Sequence, residues 1–205
     1  MNQKFFDLPD DKQQAVINGG LHVFAKYDYK KASTDEIAAK AGISKGLLFH
    51  YFENKKGLYL FLYSYAYDVL VREMSAGYNY AETDFFKILS DAQAGKMKLL
   101  SHHPDIMLFL MKAYFEESPV IKPELDQSFA EVLAQSSQRF MNRADVSKFK
   151  AGVCPKEALN IVLWMSDGYM RSRTPEQLAR FNELNDEYLR HLELLRRQFY
   201  RPECL

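Results

Sequence analysis

Apolar residues along this chain recur at three- and four-residue steps, and no stretch alternates apolar and polar for long. Ile17, Leu21 and Phe24 share one helical face; Ile37, Ala38 and Ala41 share another. Near the end, Phe181, Leu184, Tyr188, Leu192, Leu195 and Phe199 form a stripe of about five turns. This period belongs to α-helices with one buried side. Punctuation supplies the bounds. Pro9, Asp10 and Asp11 place a proline and two carboxylates where a helix starts, near the positive end of its dipole. That helix should run to about Lys26. Gly19 and Gly20 inside it each cost about 1 kcal/mol against Ala, so close packing against a neighbour is expected there. Ser33 or Thr34 can cap a second helix, with Glu36 near the capping-box position, and Gly42 ends it. Ser44 caps a third, short helix over 45–52. Asn54 starts a fourth, from Lys55 to about Ser75, about 30 Å long. Further helices are expected over 84–101, 104–117, 123–143, 155–171 and 175–200, several opening on Pro. The pattern predicts an all-α fold of about nine helices. A small N-terminal domain covers residues 1–55 and a larger one residues 56–205.

Composition changes this picture little, except in two respects. Basic and acidic residues balance at 27 each, which excludes a histone-like basic protein but not a local positive surface. The 13 Tyr, 15 Phe and 8 Met exceed what a minimal core requires. They suit a Tyr-rich core and dimer interface, or a roomy pocket for an apolar ligand. Cys154 and Cys204 lie far apart with no metal-ligand spacing, so a reduced cytoplasmic chain without metal or cofactor is the expectation. Residues 1–7 hold no apolar signal core, and the greasiest stretch, 59–71, is too short to span a bilayer. No HExxH, GxSxG or Gly-rich phosphate loop is present, so no enzyme class is indicated.

The informative stretch is 34–56. Two short helices joined by a Gly-containing turn make a helix-turn-helix. Ile37, Ile43, Leu48 and Phe52 can form its small core, and Ala38 and Ala41 let the helices approach. On the third helix Leu48 and Phe52 share the buried side, Gly46, Leu47 and His50 point away, and Lys45, Phe49 and Tyr51 flank them. Leu, His and aromatics on an exposed face each have a use in a DNA groove. Lys45 can reach a base edge or phosphate, Gly46 admits close approach, and Leu47 and Phe49 can meet thymine methyls. His50 and Tyr51 can bond phosphates, as can Lys55 at the start of the fourth helix. Residues 40–56 carry a net charge of +3 in a chain that is neutral as a whole.

The run Ile37-Ala38-Ala39-Lys40-Ala41-Gly42-Ile43-Ser44-Lys45-Gly46, followed by Leu48-Phe49-His50-Tyr51-Phe52 and Asn54-Lys55, resembles the signature of the tetracycline-repressor (TetR) family of bacterial transcription regulators. The resemblance is specific over about residues 9–60. It implies an all-helical homodimer whose first three helices bind a double-stranded DNA operator. The remainder would bind a small-molecule effector and, through the last two helices, the second subunit. Matching positions places DNA contacts on Lys45, Gly46, Leu47, Phe49, His50 and Tyr51, beside the Ser44 cap, with Thr34 and Lys55 in support. Leu47 stands where a Thr is common and Phe49 where a Tyr is common, so two hydroxyls are missing.

In the larger domain Leu159, Val162, Leu163, Ser166 and Tyr169 give the penultimate long helix an apolar face like that of the last. Candidates for an effector pocket are Met97, Met107, Met111, Tyr114, Phe115, Trp164, Met165 and Tyr169, although a Met and aromatic stripe also suits simple core. Glu116 and Glu117 are expected to end a helix in solvent. His102 and His103 precede Pro104 and read as loop. Two functions follow: a ligand-responsive DNA-binding repressor, or a small-molecule or lipid carrier that keeps a vestigial head.

Overall fold

The computed structural model describes residues 3–76 and 79–205. Met1 and Asn2, the start of the segment read for a signal core, lie outside them. Among the described residues there are ten α-helices. They are α1 (Asp10–Lys26), α2 (Thr34–Ala41), α3 (Lys45–Phe52), α4 (Lys55–Ala76) and α5 (Phe85–His102). Then come α6 (Pro104–Tyr114), α7 (Lys122–Arg143), α8 (Pro155–Arg171), α9 (Pro175–Leu178) and α10 (Phe181–Phe199). Three short 3-10 turns accompany them, and the only extended pairing among the described residues is one antiparallel bridge between Phe149 and Tyr200. The fold is all-α, as the apolar period requires. One helix expected over 175–200 is two. The chain turns at Ala179 and Arg180, where Arg180 leaves the helical region (φ −91°, ψ 63°). Leu178 and Phe181 stand three apart, so the apolar spacing alone carries no sign of that turn. The helix expected over 104–117 ends earlier, at Tyr114, where Phe115 caps it.

The chain forms two compact units. The first contains residues 1–76 and 98–130, the second residues 77–97 and 131–205. The boundary expected at residue 55 falls inside the first unit, whose core runs on through Leu58, Tyr59, Leu62 and Phe109.

In the first unit α1 packs against α2, α4 and α6. Its two glycines explain how. A Cβ on Gly19 would lie 3.2 Å from the backbone N of Ala41 and the carbonyl O of Ile37, both on α2. A Cβ on Gly20 would lie 2.5 Å from Leu62 Cδ1 on α4. The helix gives up propensity at these positions and gains two close approaches. Phe24, Tyr59 and Phe109 then stack edge to face, with centroids 4.8 and 4.9 Å apart along the chain of rings.

The second unit builds its core from Phe85, Phe86, Phe149, Ala158, Leu159, Val162, Leu192 and Tyr200. Four stripe residues of α10, Tyr188, Leu192, Leu195 and Phe199, belong to this intrachain core. Tyr200 is fully buried, and its hydroxyl accepts the Phe85 backbone N–H at 3.1 Å. Among the described residues, no helix is long and apolar enough to cross a membrane.

Gly19→Val should lower the free energy of urea unfolding by about 1–3 kcal/mol, because helix backbone cannot yield to the added carbons. Gly20→Ala should cost less, since Leu62 can change rotamer and Ala favours the helix. A Gly19→Val protein as stable as wild type would contradict this packing.

Candidate nucleic-acid interface

Hydrogen bonds at the ends of α2 and α3 set the helix-turn-helix. Ser33 caps α2, its Oγ accepting the Glu36 N–H at 3.3 Å. Gly42 then takes φ +66°, where L side chains are strained, and closes a Schellman motif. The Ile43 N–H donates to Ala38 O and the Gly42 N–H to Ala39 O, at 3.0 and 3.1 Å. Ser44 caps α3, accepting the Leu47 N–H at 3.1 Å. Ile37, Leu48 and Phe52 are buried between the helices.

The exit from α3 is tighter. Glu53 adopts φ 65°, ψ −51°, and the Asn54 N–H donates to Phe52 O at 2.7 Å. This is a γ-turn of the rare, strained kind. Asn54 Oδ1 accepts the Gly57 N–H at 2.9 Å and so starts α4. A Cβ on Gly57 would fall 2.2 Å from Phe52 O. Only glycine lets α3 end this close to the first turn of α4.

The candidate DNA contacts divide by exposure. Ser44, Lys45, Gly46, Leu47 and His50 are exposed, and Thr34, Phe49 and Lys55 are half-buried. Tyr51, expected on a flank, is buried instead. Phe5 from the N-terminal 3-10 turn lies across it, ring centroids 5.8 Å apart, and also meets Phe52 at 4.9 Å and Phe61 at 5.3 Å. The body of Tyr51 is therefore core.

The positive patch is partly neutralised by carboxylates outside it. Lys45 Nζ lies 2.8 Å from Asp35 Oδ2, and Lys56 Nζ lies 2.6 Å from Glu124 Oε1. Lys55 Nζ sits over the Tyr29 ring at 4.8 Å and donates to Lys30 O at 3.4 Å. Burial pushes its pKa below the ordinary lysine value, against an opposing pull from the Glu116 charge.

Glu116 itself does not end a helix in solvent. Its carboxylate accepts the backbone N–H of Tyr29 at 2.8 Å, tying the α1–α2 connector to the end of α6. Lys112 with Asp28 (3.2 Å) and His22 with Asp105 (3.0 Å) join the same elements. No local pattern announces these pairs, because the partners come from distant segments.

The eight effector-pocket candidates are divided between the two units, four in each. Met107 packs on the core of the first unit, which also holds Met111, Tyr114 and Phe115; the Tyr114 ring meets Phe129 at 5.7 Å. Met97, Trp164, Met165 and Tyr169 belong to the second unit. There Trp164 is 70% exposed on the outer side of α8. Tyr169 donates its hydroxyl to Glu187 and is covered by Arg173, 4.3 Å from its ring. A groove of about 480 Å³ in the second unit is lined by none of the eight. Its charged residues include three acids and three bases, with Asp84 and Lys148 paired at 2.8 Å.

Ser44→Ala should remove the α3 cap and cost about 1 kcal/mol. Amide hydrogen exchange should then speed up at Leu47 without a matching change in α8. Equal protection at Leu47 in both proteins would mean that the cap contributes nothing.

Comparison with known proteins is consistent with this geometry. Residues 16–61 match the family described as bacterial regulatory proteins, tetR family. The uncharacterized HTH-type transcriptional regulator YuxN of Bacillus subtilis is 38% identical over 58 residues, which are 28% of this chain and 20% of YuxN. The HTH-type transcriptional repressor AcnR of Corynebacterium glutamicum is 32% identical over 56 residues, 27% of this chain and 30% of AcnR. The chain thus spans less than a third of the length of these curated relatives. A solved TetR family transcriptional regulator from Chloroflexus aurantiacus superposes with a TM-score of 0.63 at 22% identity, covering 98% of both chains. Residues 16–61 thus carry the head of the tetR family of bacterial regulatory proteins, and the chain shares its fold along nearly its whole length with a solved structure.

Proposed function

We infer that the chain is a ligand-responsive DNA-binding transcriptional regulator, acting as a repressor. In this reading it binds a palindromic operator as a homodimer and is released by a small apolar or aromatic effector. The observation that carries the reading is the face of α3. Leu48 and Phe52 anchor its back, while Ser44, Lys45, Gly46, Leu47 and His50 stand outward beside the half-buried Phe49. A major groove accommodates such a helix. The repressor named among its relatives supports the direction of regulation.

Pairing of two chains draws support from the second unit. Ile161 (40% exposed) and Trp164 (70%) lie on one side of α8, with Gly168 one turn further on. Leu194 on α10 is 57% exposed. Large apolar side chains left in water at this density fit a second copy, and Trp is the residue type most enriched at the centres of interfaces. A dimer then reads two half-sites about one helical turn apart, and an effector that favours another spacing of the heads mis-registers one of them. A hundredfold loss of affinity requires about 2.8 kcal/mol of differential effector binding, within the usual allosteric range.

The test is fluorescence anisotropy of the protein on DNA from just upstream of its own gene, against scrambled DNA, across a salt series. Selective binding that weakens steeply with salt is expected. Absence of binding to any DNA at low salt would leave the carrier reading in its place. Lys55→Ala should weaken binding to all sequences and flatten the salt slope by about one phosphate contact per chain; Leu47→Ala should relax preference at one base pair per half-site. Trp164→Asp should yield a folded monomer by sedimentation, with operator binding reduced at least tenfold. A Trp164→Asp protein that remains dimeric would remove α8 from the interface.

A further inference from the structure

We propose that Asp35 is a specificity-determining residue, which keeps Lys45 for a base edge by denying it to phosphates. The proposal rests on α3 being the DNA-reading helix. Lys45 is the first residue of α3, and its Nζ lies 2.8 Å from Asp35 Oδ2 in the first turn of α2. The same ammonium stands 6.0 Å from the centre of the Phe49 ring, so it is held toward the middle of the recognition face. Both side chains are well exposed, the carboxylate by 70%. A pair this wet contributes little to folding, so its effect is sought in what the two charges do to a polyanion.

A lysine that neutralises a phosphate releases counterions and binds every sequence alike. Lys45 with its charge already balanced has little such release to offer. It retains N–H donors that can reach purine N7 or O6. Asp35 also places a negative charge beside the α3 N-terminus, where a misplaced phosphate would otherwise be welcome. A head docked off register therefore meets repulsion, and a head in register meets a base-edge donor. The carboxylate lowers random binding more than it lowers operator binding, and discrimination rises.

The experiment uses the full chain and duplexes recovered by the wild-type protein from a random 30-base-pair pool, with a scrambled duplex of equal composition as reference. Asp35→Asn should bind the scrambled duplex about fivefold to tenfold more tightly per head at 0.1 M salt, the worth of roughly one added phosphate contact. Its salt slope should steepen by about one unit per chain, its affinity for the selected duplex should rise less, and selection with the variant should return a broader consensus. The double variant Asp35→Asn with Lys45→Met should restore wild-type binding to the scrambled duplex. Thermal melting should barely change, which separates the effect from damage to α2. An unchanged slope in Asp35→Asn, or an equal gain on both duplexes, overturns the proposal while leaving DNA binding intact. A wild-type protein that recovers no duplex from the pool overturns the DNA-binding reading and this proposal with it.

Discussion

Helix α1 lies against the backbone of α2 and against a side chain of α4 with no Cβ of its own between, and that closeness governs the first unit. At Gly19 the neighbouring surface is the backbone of α2; at Gly20 it is one leucine of α4. With side chains at both positions α1 would stand off, and the ring sequence Phe24, Tyr59 and Phe109 could not close behind it. The helix-turn-helix is therefore not a free-standing hairpin. Its first helix is fixed to α1, its second to α4 through the joint at Glu53, and Phe5 covers the seam. Apolar burial supplies the driving force, and absent Cβ atoms decide where it can be realised.

Charge on this unit is arranged by pairing rather than by excess. Two of the four lysines that make the 40–56 segment positive are matched by Asp35 and Glu124. Lys55 is half-buried on Tyr29. Around Tyr29 the Glu116 carboxylate, the Lys112–Asp28 pair and the His22–Asp105 pair hold α6 to α1 and its connector. The two ion pairs are exposed enough to be individually weak. The common direction of these contacts is what matters, because every one joins the same two segments.

Much of this architecture is legible in the sequence because helix ends are local events. Ser33, Gly42 and Ser44 act where their spacing indicates, and α8 occupies the residues its opening proline and apolar period suggest. What escapes is everything decided by distant partners. Tyr51 looks like a flank residue until Phe5 is placed across it. Glu116 looks like a solvent-facing helix end until Tyr29, 87 residues away, presents its N–H. Trp164 looks like pocket material by composition, yet α8 turns it outward. The α10 stripe is a true helical face, but periodicity cannot say whether the covering surface belongs to the same chain; Tyr188, Leu192, Leu195 and Phe199 turn out to be covered from within.

The joint after α3 bears on how such a head could be exchanged between regulators. A chimera cut at residue 55, where the sequence suggests a boundary, would separate the strained turn at Glu53 from the glycine that makes room for it. A recipient helix with any side chain at the position of Gly57 would press on Phe52 O and tilt the grafted helix out of line. Any transferable cassette therefore extends at least through Gly57. Transplanting this head with its geometry intact requires carrying the first turn of α4 along with it.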